Sequence, residues 1–96
     1  MKPRAVYKKE AAILKSLANE SRLMLIDRLS RGECTVGDLT EMLGCDQSTV
    51  SKHLALLRSH GIVTDRREGA NVFYILQTPC VLNFFSCVGD VLKERS

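Results

Sequence analysis

Residues 46–61 constrain the fold of this chain more tightly than any other segment. Val50, Leu54 and Leu57 recur at helical spacing, which predicts an amphipathic helix with one apolar stripe. Asp46 precedes the stripe as a helix N-cap. The opposite face carries short polar side chains, a lysine and a histidine, namely Gln47, Ser48, Thr49, Ser51, Lys52 and His53. Since such side chains hydrogen-bond base edges and phosphates, this face is typical of a recognition helix in a DNA major groove.

A shorter helix is predicted just before it. Thr35 and Asp38 have the spacing of a capping box, in which each side chain satisfies a free backbone N–H at the helix start. Gly44 supplies a stop and opens a short turn that leads into the recognition helix. Two helices joined in this way make a helix-turn-helix, which we assign to about residues 36–60.

Two strand-like runs follow, at residues 62–67 and 72–76. The residues between them include a glycine and an asparagine, both available for positive φ. We therefore predict a wing, a hairpin over about residues 62–76. Arg66 and Arg67 lie near its tip, where arginines reach phosphates or a minor groove.

The remaining segments complete one small domain that spans residues 1–96. We predict a first helix at about 6–17, with Ile13, Leu14 and Leu17 facing inward, and a last helix at about 80–93. A second helix begins after the cap Asn19-Glu20, and its apolar residues Leu23, Ile26 and Leu29 recur along one side. The predicted fold is mainly α with a small hairpin: a winged helix-turn-helix of order α-α-α-α-β-β-α.

Composition narrows the class of protein. A hydrophobic content of 45% with 26% charged residues is that of a soluble globular protein. No apolar run approaches the ~20 residues that span a bilayer, and the N-terminus lacks a signal-peptide hydrophobic region. We therefore expect a cytoplasmic protein without a membrane partner. The four cysteines are then reduced thiols, metal ligands or redox centres rather than a disulfide scaffold.

The last helix carries two adjacent apolar stripes. Cys80, Phe84, Cys87 and Val91 form one of them; Val81, Phe85, Val88 and Leu92 form the other. A terminal helix of so small a domain packs only one stripe on its own core, and a second copy of the chain supplies the surface for the other. We expect a homodimer, which also suits the reading of a palindromic DNA site by two recognition helices.

Several segments, in this order and spacing, resemble the ArsR/SmtB family of metal-sensing repressors. They are residues 17–23 (LANESRL), 32–39 (GECTVGDL), 47–57 (QSTVSKHLALL), 61–63 (GIV), 66–69 (RREG) and Tyr74. The resemblance covers nearly the whole chain. It implies a dimeric winged helix-turn-helix whose first and last helices, about 6–17 and 80–93 here, form the dimer interface. It also implies a repressor that occupies operator DNA, with no cofactor required, until an inducer releases it.

Three inducer sites known in that family are not matched by this sequence. Its arsenic sensors carry a Cys-Val-Cys-Asp-Leu pattern, whereas residues 35–39 here read Thr-Val-Gly-Asp-Leu. Its zinc, cobalt and nickel sensors use Asp and His residues on the last helix, and that helix contains no histidine here. Its persulfide and disulfide sensors use a second-helix cysteine, and the matching position here is Asp27.

Cys80 and Cys87 are the leading candidates for an inducer site. In one regular helix they lie about 10.5 Å apart along the axis, beyond the about 7 Å that a disulfide spans. They meet only if the chain folds back after Pro79, or if Cys80 of one protomer approaches Cys87 of its partner across antiparallel helices. Thiolates without histidine favour a thiophilic ion such as arsenite or antimonite. Cys45 or Cys34 is the candidate third ligand, and the alternative is that the cysteines only pack as small hydrophobes.

Three other functions compete with the metalloid-responsive repressor. A thiol-based redox or reactive-sulfur-responsive repressor would use the same cysteines. A cysteine enzyme would need a base and an orienting group, whereas Cys45 and His53 are eight residues apart on separate sides of a helix cap, so we expect no enzyme. A winged-helix module that binds protein would expose more aromatic and aliphatic anchors than the predicted reading face does, so we infer no protein partner other than a second copy.

Overall fold

The computed structural model of this protein describes residues 1–95. Its elements in chain order are α1 (Arg4–Leu17), α2 (Glu20–Leu29), β1 (Cys34–Thr35), α3 (Val36–Leu43), α4 (Gln47–Ser59), β2 (Val63–Glu68), β3 (Asn71–Leu76), a 3-10 helix (Pro79–Val81) and α5 (Leu82–Arg95). The predicted order of four helices, a hairpin and a final helix is confirmed. The strand β1 and the 3-10 helix are additions that the sequence did not indicate.

The predicted helix starts are confirmed by their capping hydrogen bonds. The Asn19 side chain accepts from the backbone N–H of Arg22 at 3.1 Å, and the Asp46 carboxylate accepts from that of Thr49 at 2.9 Å. The capping box at α3 is complete, with both reciprocal bonds present. Gly44 ends α3 in the left-handed region at φ 71°, which a residue without a Cβ adopts at little cost. These local signals fix where α3 and α4 begin and how they are joined.

The core lies among α2, α3, α4 and the base of the hairpin. The α4 stripe of Val50, Leu54 and Leu57 is wholly buried, as predicted. The other buried apolar side chains are Leu17, Leu25, Ile26, Leu29, Cys34, Leu39, Ile62, Val63 and Val81. Leu25 was not predicted, although it is completely buried.

The inward orientation predicted for Ile13 and Leu14 is wrong for a single chain, because their side chains are 41% and 47% exposed. Leu23, which shares a helical spacing with the buried Ile26 and Leu29, is itself 39% exposed. Only the end of α1 reaches the core, where Leu17 is buried. The helical period of α1 is real, but the surface that its apolar stripe faces is not part of the core of this chain.

The sheet has the strand order β1-β3-β2 and is antiparallel throughout. The predicted wing is confirmed, with Gly69 in the turn at φ 61°. Asn71 does not take positive φ and instead begins β3. On the other side of β3, Cys34 pairs with Tyr74. This two-residue strand was missed because it is too short to show an alternating pattern.

The C-terminal segment differs from the single helix predicted at about 80–93. The 3-10 helix takes up Pro79, Cys80 and Val81, and α5 begins at Leu82. Cys80 therefore does not lie on the same regular helix as Cys87. Val81 is buried and Phe85 packs against the core, whereas four apolar side chains of α5 are more than half exposed, namely Phe84, Val88, Val91 and Leu92. Among residues 1–95 no helix is long and apolar enough to cross a membrane.

Candidate nucleic-acid interface

The first turns of α4 present a continuous polar surface. Gln47, Ser48, Thr49, Ser51 and Lys52 are all exposed, while the apolar stripe on the opposite side is fully buried. The structure thus brings together five of the six predicted α4 residues on one accessible face. An α-helix fits the width of a DNA major groove, and this face offers hydroxyl, amide and ammonium groups to base edges and phosphates.

Asp46 occupies the start of that face as the cap of α4. Hydrogen bonds from the Thr49 side chain and backbone hold the pKa of the Asp46 carboxyl below its usual range. The carboxylate therefore stays ionised at neutral pH and uses the amide group that a helix N-terminus would otherwise offer to an anion. The backbone N–H of Thr49 is therefore occupied by the cap and is not available to an external anion.

His53 is the sixth predicted residue, and it differs from the other five. It is half-buried, and its Nδ1 lies 3.2 Å from Nη1 of Arg22 on α2. Burial, and then the charge of Arg22, lowers the pKa of His53. The ring is accordingly neutral at pH 7. Sequence reasoning missed Arg22 as its partner, because nothing local links residues 31 positions apart.

The two wing arginines have different surroundings. Arg66 is paired with the carboxylates of Glu33 and Glu68, and its guanidinium lies 4.8 Å from the centre of the Phe73 ring. The bonds to Glu68 and Glu33 raise the pKa of Arg66. Arg67 is exposed and forms no ion pair within residues 1–95. Arg66 thus fastens the wing to the segment before β1, and Arg67 is the wing cation without an internal carboxylate.

A further ion pair joins α4 to the wing. Nε of Arg58 lies 3.2 Å from the carboxylate of Asp65 on β2. Because Arg58 is 60% exposed, solvent screens much of the attraction. Its role is geometric, since it connects the end of the helix to the strand that follows it. No sequence signal paired these two residues beyond their opposite charges.

The four cysteines are all free thiols. Cys34 is 1% exposed, its Sγ donates weakly to the Gly32 carbonyl at 3.7 Å, and burial raises its pKa. A neutral buried thiol is a poor metal ligand. Cys45, Cys80 and Cys87 are exposed. Within a single chain, residues 1–95 contain no cluster of three or more potential ligands for a metal ion.

A second surface of interest is an apolar groove of about 460 Å³ between α1, the start of α2 and α5. It is lined by Leu14, Leu17, Ala18, Leu23, Val81, Phe84, Phe85, Val88, Gly89 and Leu92. These include Leu14 and Leu23, two of the side chains that the core leaves uncovered. Exposed apolar side chains at the end of α1 and on α5 therefore belong to one continuous surface rather than to two separate patches.

Three comparisons with known proteins match this chain to regulatory proteins and to a DNA-binding domain. Residues 19–65 match the model of the bacterial regulatory proteins of the arsR family. The chain is 33% identical over 84 residues to the nodulation protein NolR of Rhizobium meliloti, covering 88% of this chain and 69% of NolR. It is 40% identical over 84 residues to the transcriptional repressor SmtB homolog of Synechocystis, covering 88% of this chain and 64% of that protein.

A solved structure matches over almost the whole chain. It is the homodimeric winged helix-turn-helix DNA-binding domain of Mb0332 from Mycobacterium bovis, a possible ArsR-family transcriptional regulator. The TM-score is 0.81 at 34% identity, and the match covers 96% of this chain and 85% of that domain.

Proposed function

The chain belongs to the ArsR family of bacterial regulatory proteins, and on that premise we propose that it is a homodimeric repressor of transcription. In this proposal α4 binds operator DNA in the major groove, the wing contacts the flanking backbone, and an inducer releases the dimer. The known proteins that it matches in sequence and fold include transcriptional repressors, and it is not an enzyme.

The exposed polar face of α4 is the observation that carries this proposal. Its side chains are short, so they approach base edges closely, and Lys52 adds one positive charge for a phosphate. The full burial of the opposite stripe leaves α4 only one orientation on the domain. We assign base and phosphate contacts to Gln47, Ser48, Thr49, Ser51 and Lys52, with His53 at the edge of the same face.

The wing contributes a phosphate contact through Arg67. Its side chain is exposed and carries no ion pair within the described chain, so its charge is available to DNA. Arg66 would have to leave Glu33 and Glu68 to make the same contact. We therefore expect Arg67 to contribute more to DNA binding than Arg66, although both belong to the proposed interface.

Dimerisation through the α1/α5 groove supports the same function. The groove is apolar and open, and α5 buries none of its residues in a single chain. Packing two copies together would cover this surface, and the structurally similar domain of Mb0332 is a homodimer. A two-fold axis then presents two copies of α4 to two half-sites of a palindromic operator.

For the inducer we propose arsenite or antimonite bound by Cys80 and Cys87. Both thiols are exposed, and the 3-10 helix places a break between them. The proposal requires Cys80 of one protomer to approach the partner's Cys87 across the α5 helices. Soft thiolates select thiophilic ions. Cys34 is buried and its thiol is neutral, which leaves Cys45 as the exposed candidate for a third ligand.

A second candidate is a redox-responsive repressor that uses the same thiols. The favouring observation is that one chain holds several exposed cysteines but, within residues 1–95, no cluster of three ligands. A trigonal ion requires three donors, whereas oxidation to a disulfide requires only two thiolates. The two candidates differ in the reagent that releases DNA.

The DNA-binding part is tested by fluorescence anisotropy with a duplex that the protein selects from a random-sequence pool. We expect tight binding that weakens steeply with salt. Replacing Lys52 by Ala should weaken it by roughly 1–3 kcal/mol if Lys52 makes a specific contact. Lys9→Ala, an equal loss of charge on exposed α1, is the control. Equal affinity of the wild type and the Lys52 variant would remove α4 from the interface.

The inducer is tested on the same complex by adding arsenite, antimonite, zinc, cadmium and peroxide in separate titrations. Release by arsenite or antimonite that is lost in Cys80→Ser and in Cys87→Ser, but kept in Cys34→Ser, supports the metalloid site. Release only by peroxide supports the redox repressor. A complex indifferent to every reagent would contradict both, and the exposed cysteines would then have no sensing role.

A further inference from the structure

Arg22 forms hydrogen bonds with three segments of the chain at once. Its backbone N–H donates to the Asn19 cap of α2 at 3.1 Å. Its Nε donates to the carbonyl oxygen of Ser16, near the end of α1, at 2.5 Å. Its Nη1 lies 3.2 Å from Nδ1 of His53, in the middle of α4. One half-buried side chain on α2 thus joins the last turn of α1 to the helix with the proposed DNA-binding face.

The bond to Ser16 satisfies a group that would otherwise be costly. The last four carbonyls of a helix have no amide partner within the helix, and Ser16 lies in the last turn of α1 with only 2% of its surface exposed. A buried carbonyl without a donor costs free energy. The Arg22 guanidinium supplies the donor, and its charge is favourable at a helix C-terminus.

The contact with His53 fixes the state of the imidazole. Because every guanidinium nitrogen is a donor, Nδ1 of His53 must act as the acceptor. The ring proton of the neutral imidazole is then on Nε2. His53 therefore keeps a free donor for a second partner while its other nitrogen is held by Arg22.

The two ends of this connection lie at different functional surfaces. On α1, Ser16 is flanked by Lys15 and Leu17, and Leu17 lines the apolar groove. On α4, His53 follows Ser51 and Lys52 on the polar face. Arg22 is the only side chain of residues 1–95 with hydrogen bonds to both α1 and α4.

We propose that Arg22 is a positioning residue for DNA binding, which fixes α4 relative to α1 by holding Ser16 and His53 together. The helix that reads DNA is thereby coupled to the groove that a second copy covers. This inference rests on the proposed function, since it requires that α4 bind DNA. It assigns to Arg22 no contact with DNA itself.

The test measures operator affinity for Arg22→Met in the wild type and in a His53→Ala background. Loss of hydrogen bonds made by a charged donor should weaken binding about tenfold in the wild type. In the His53→Ala background the same substitution should cause little further loss. Arg28→Met is the matched control, because it removes an equal charge from the same helix and Arg28 has no hydrogen bond to α4 among residues 1–95.

Two readouts separate positioning from direct contact and from unfolding. A lost phosphate contact would lower the salt dependence of binding by about one ion, whereas a positioning residue leaves that slope unchanged. Nitrogen NMR of the free protein should show the Nε2–H tautomer of His53 almost alone, and the Nδ1–H tautomer should become detectable in Arg22→Met while the thermal unfolding transition stays cooperative. Arg22→Lys keeps one donor and should recover part of the affinity.

Equal losses from Arg22→Met with and without His53 would overturn the connection through His53. A reduced salt slope would overturn it as well, and would make Arg22 a direct phosphate contact. Failure of the wild-type protein to bind any selected duplex is a different result, because it would contradict the proposed function rather than the position of Arg22.

Discussion

The helix-turn-helix and the C-terminal helix bury very different fractions of their apolar residues. In α4 the side chains of Val50, Leu54 and Leu57 are wholly buried, while α5 buries none of its residues and leaves Phe84 and Leu92 55% and 64% exposed. The chain itself supplies every neighbour that α4 needs. For α5 it supplies neighbours on one side only, and the apolar side chains on the other side stay exposed. The first region therefore belongs to the closed core, and the second is the surface that we propose as the dimer interface.

Alanine substitutions of one buried leucine in α4 and one exposed leucine in α5 test the difference in burial between the two helices. Leu54→Ala should lower the free energy of unfolding by about 2–5 kcal/mol, because it opens a cavity in a closed core. Leu92→Ala should lower it by less than about 0.5 kcal/mol in dilute monomer. Urea unfolding followed by circular dichroism measures both. Similar losses at low protein concentration would mean that α5 is already covered within one chain.

The exposed face of α5 is tested further by measuring self-association as the protein concentration is raised. Phe84→Ser removes a large apolar side chain from the proposed interface and should weaken self-association by about 1–3 kcal/mol per protomer. Sedimentation equilibrium measures the dissociation constant. Met42→Ser, on α3 and also exposed, is the control and should leave association unchanged. A monomeric wild type would remove the homodimer from the proposal.

Gly44, in the helix-turn-helix, and Gly89, in α5, extend the comparison of these two regions to the backbone. Gly44 has φ 71° at the turn after α3, so Gly44→Ala should destabilise the fold by about 1 kcal/mol. Gly89 lies inside α5 and a Cβ there would meet nothing within 4 Å, so Gly89→Ala should stabilise the monomer by about 0.5–1 kcal/mol. Thermal unfolding measures both. If a second helix packs closely at Gly89, the same alanine will weaken the dimer.

The lowered pKa of His53 should give the stability of the protein a small dependence on pH. His53 has a pKa below 6.5 in the folded chain, so below this pH the unfolded chain binds a proton that the folded chain resists. Its contribution is complete above pH ~6.5 and is lost as the pH falls toward the folded pKa. Urea midpoints measured from pH ~7 to ~5.5 should fall for the wild type and less for His53→Gln. Parallel slopes would mean that folding does not lower the pKa of His53.

The sequence predicted those parts of the fold that local signals determine. Asn19, Thr35, Asp46 and Gly44 act within four residues of their own position, and the spacing of Val50, Leu54 and Leu57 defines one helix face. The family resemblance, carried by several such segments, is confirmed by the match to the arsR family.

The parts that the sequence did not predict depend on partners distant in the chain. The two-residue β1 exists because Cys34 pairs with Tyr74. The ion pair of Arg66 with Glu33 and the contact between Arg22 and His53 join residues about thirty positions apart, and no local pattern distinguishes these arginines from others. The stripes of α1 and α5 were read correctly as apolar, but which surface covers them is not encoded in spacing. The roles of Cys80 and Cys87 remain predictions for the same reason.

Because Cys34 is buried, the reactivity of its thiol reports local opening of the sheet. Its thiol lies under β1 with 1% of its surface exposed and a raised pKa, while Cys45, Cys80 and Cys87 are open to solvent. An alkylating reagent will modify the three exposed thiols promptly and Cys34 only during excursions in which β1 leaves β3. The rate of that last reaction, read by mass spectrometry, reports how often the wing loosens from the helices, with no probe added to the molecule.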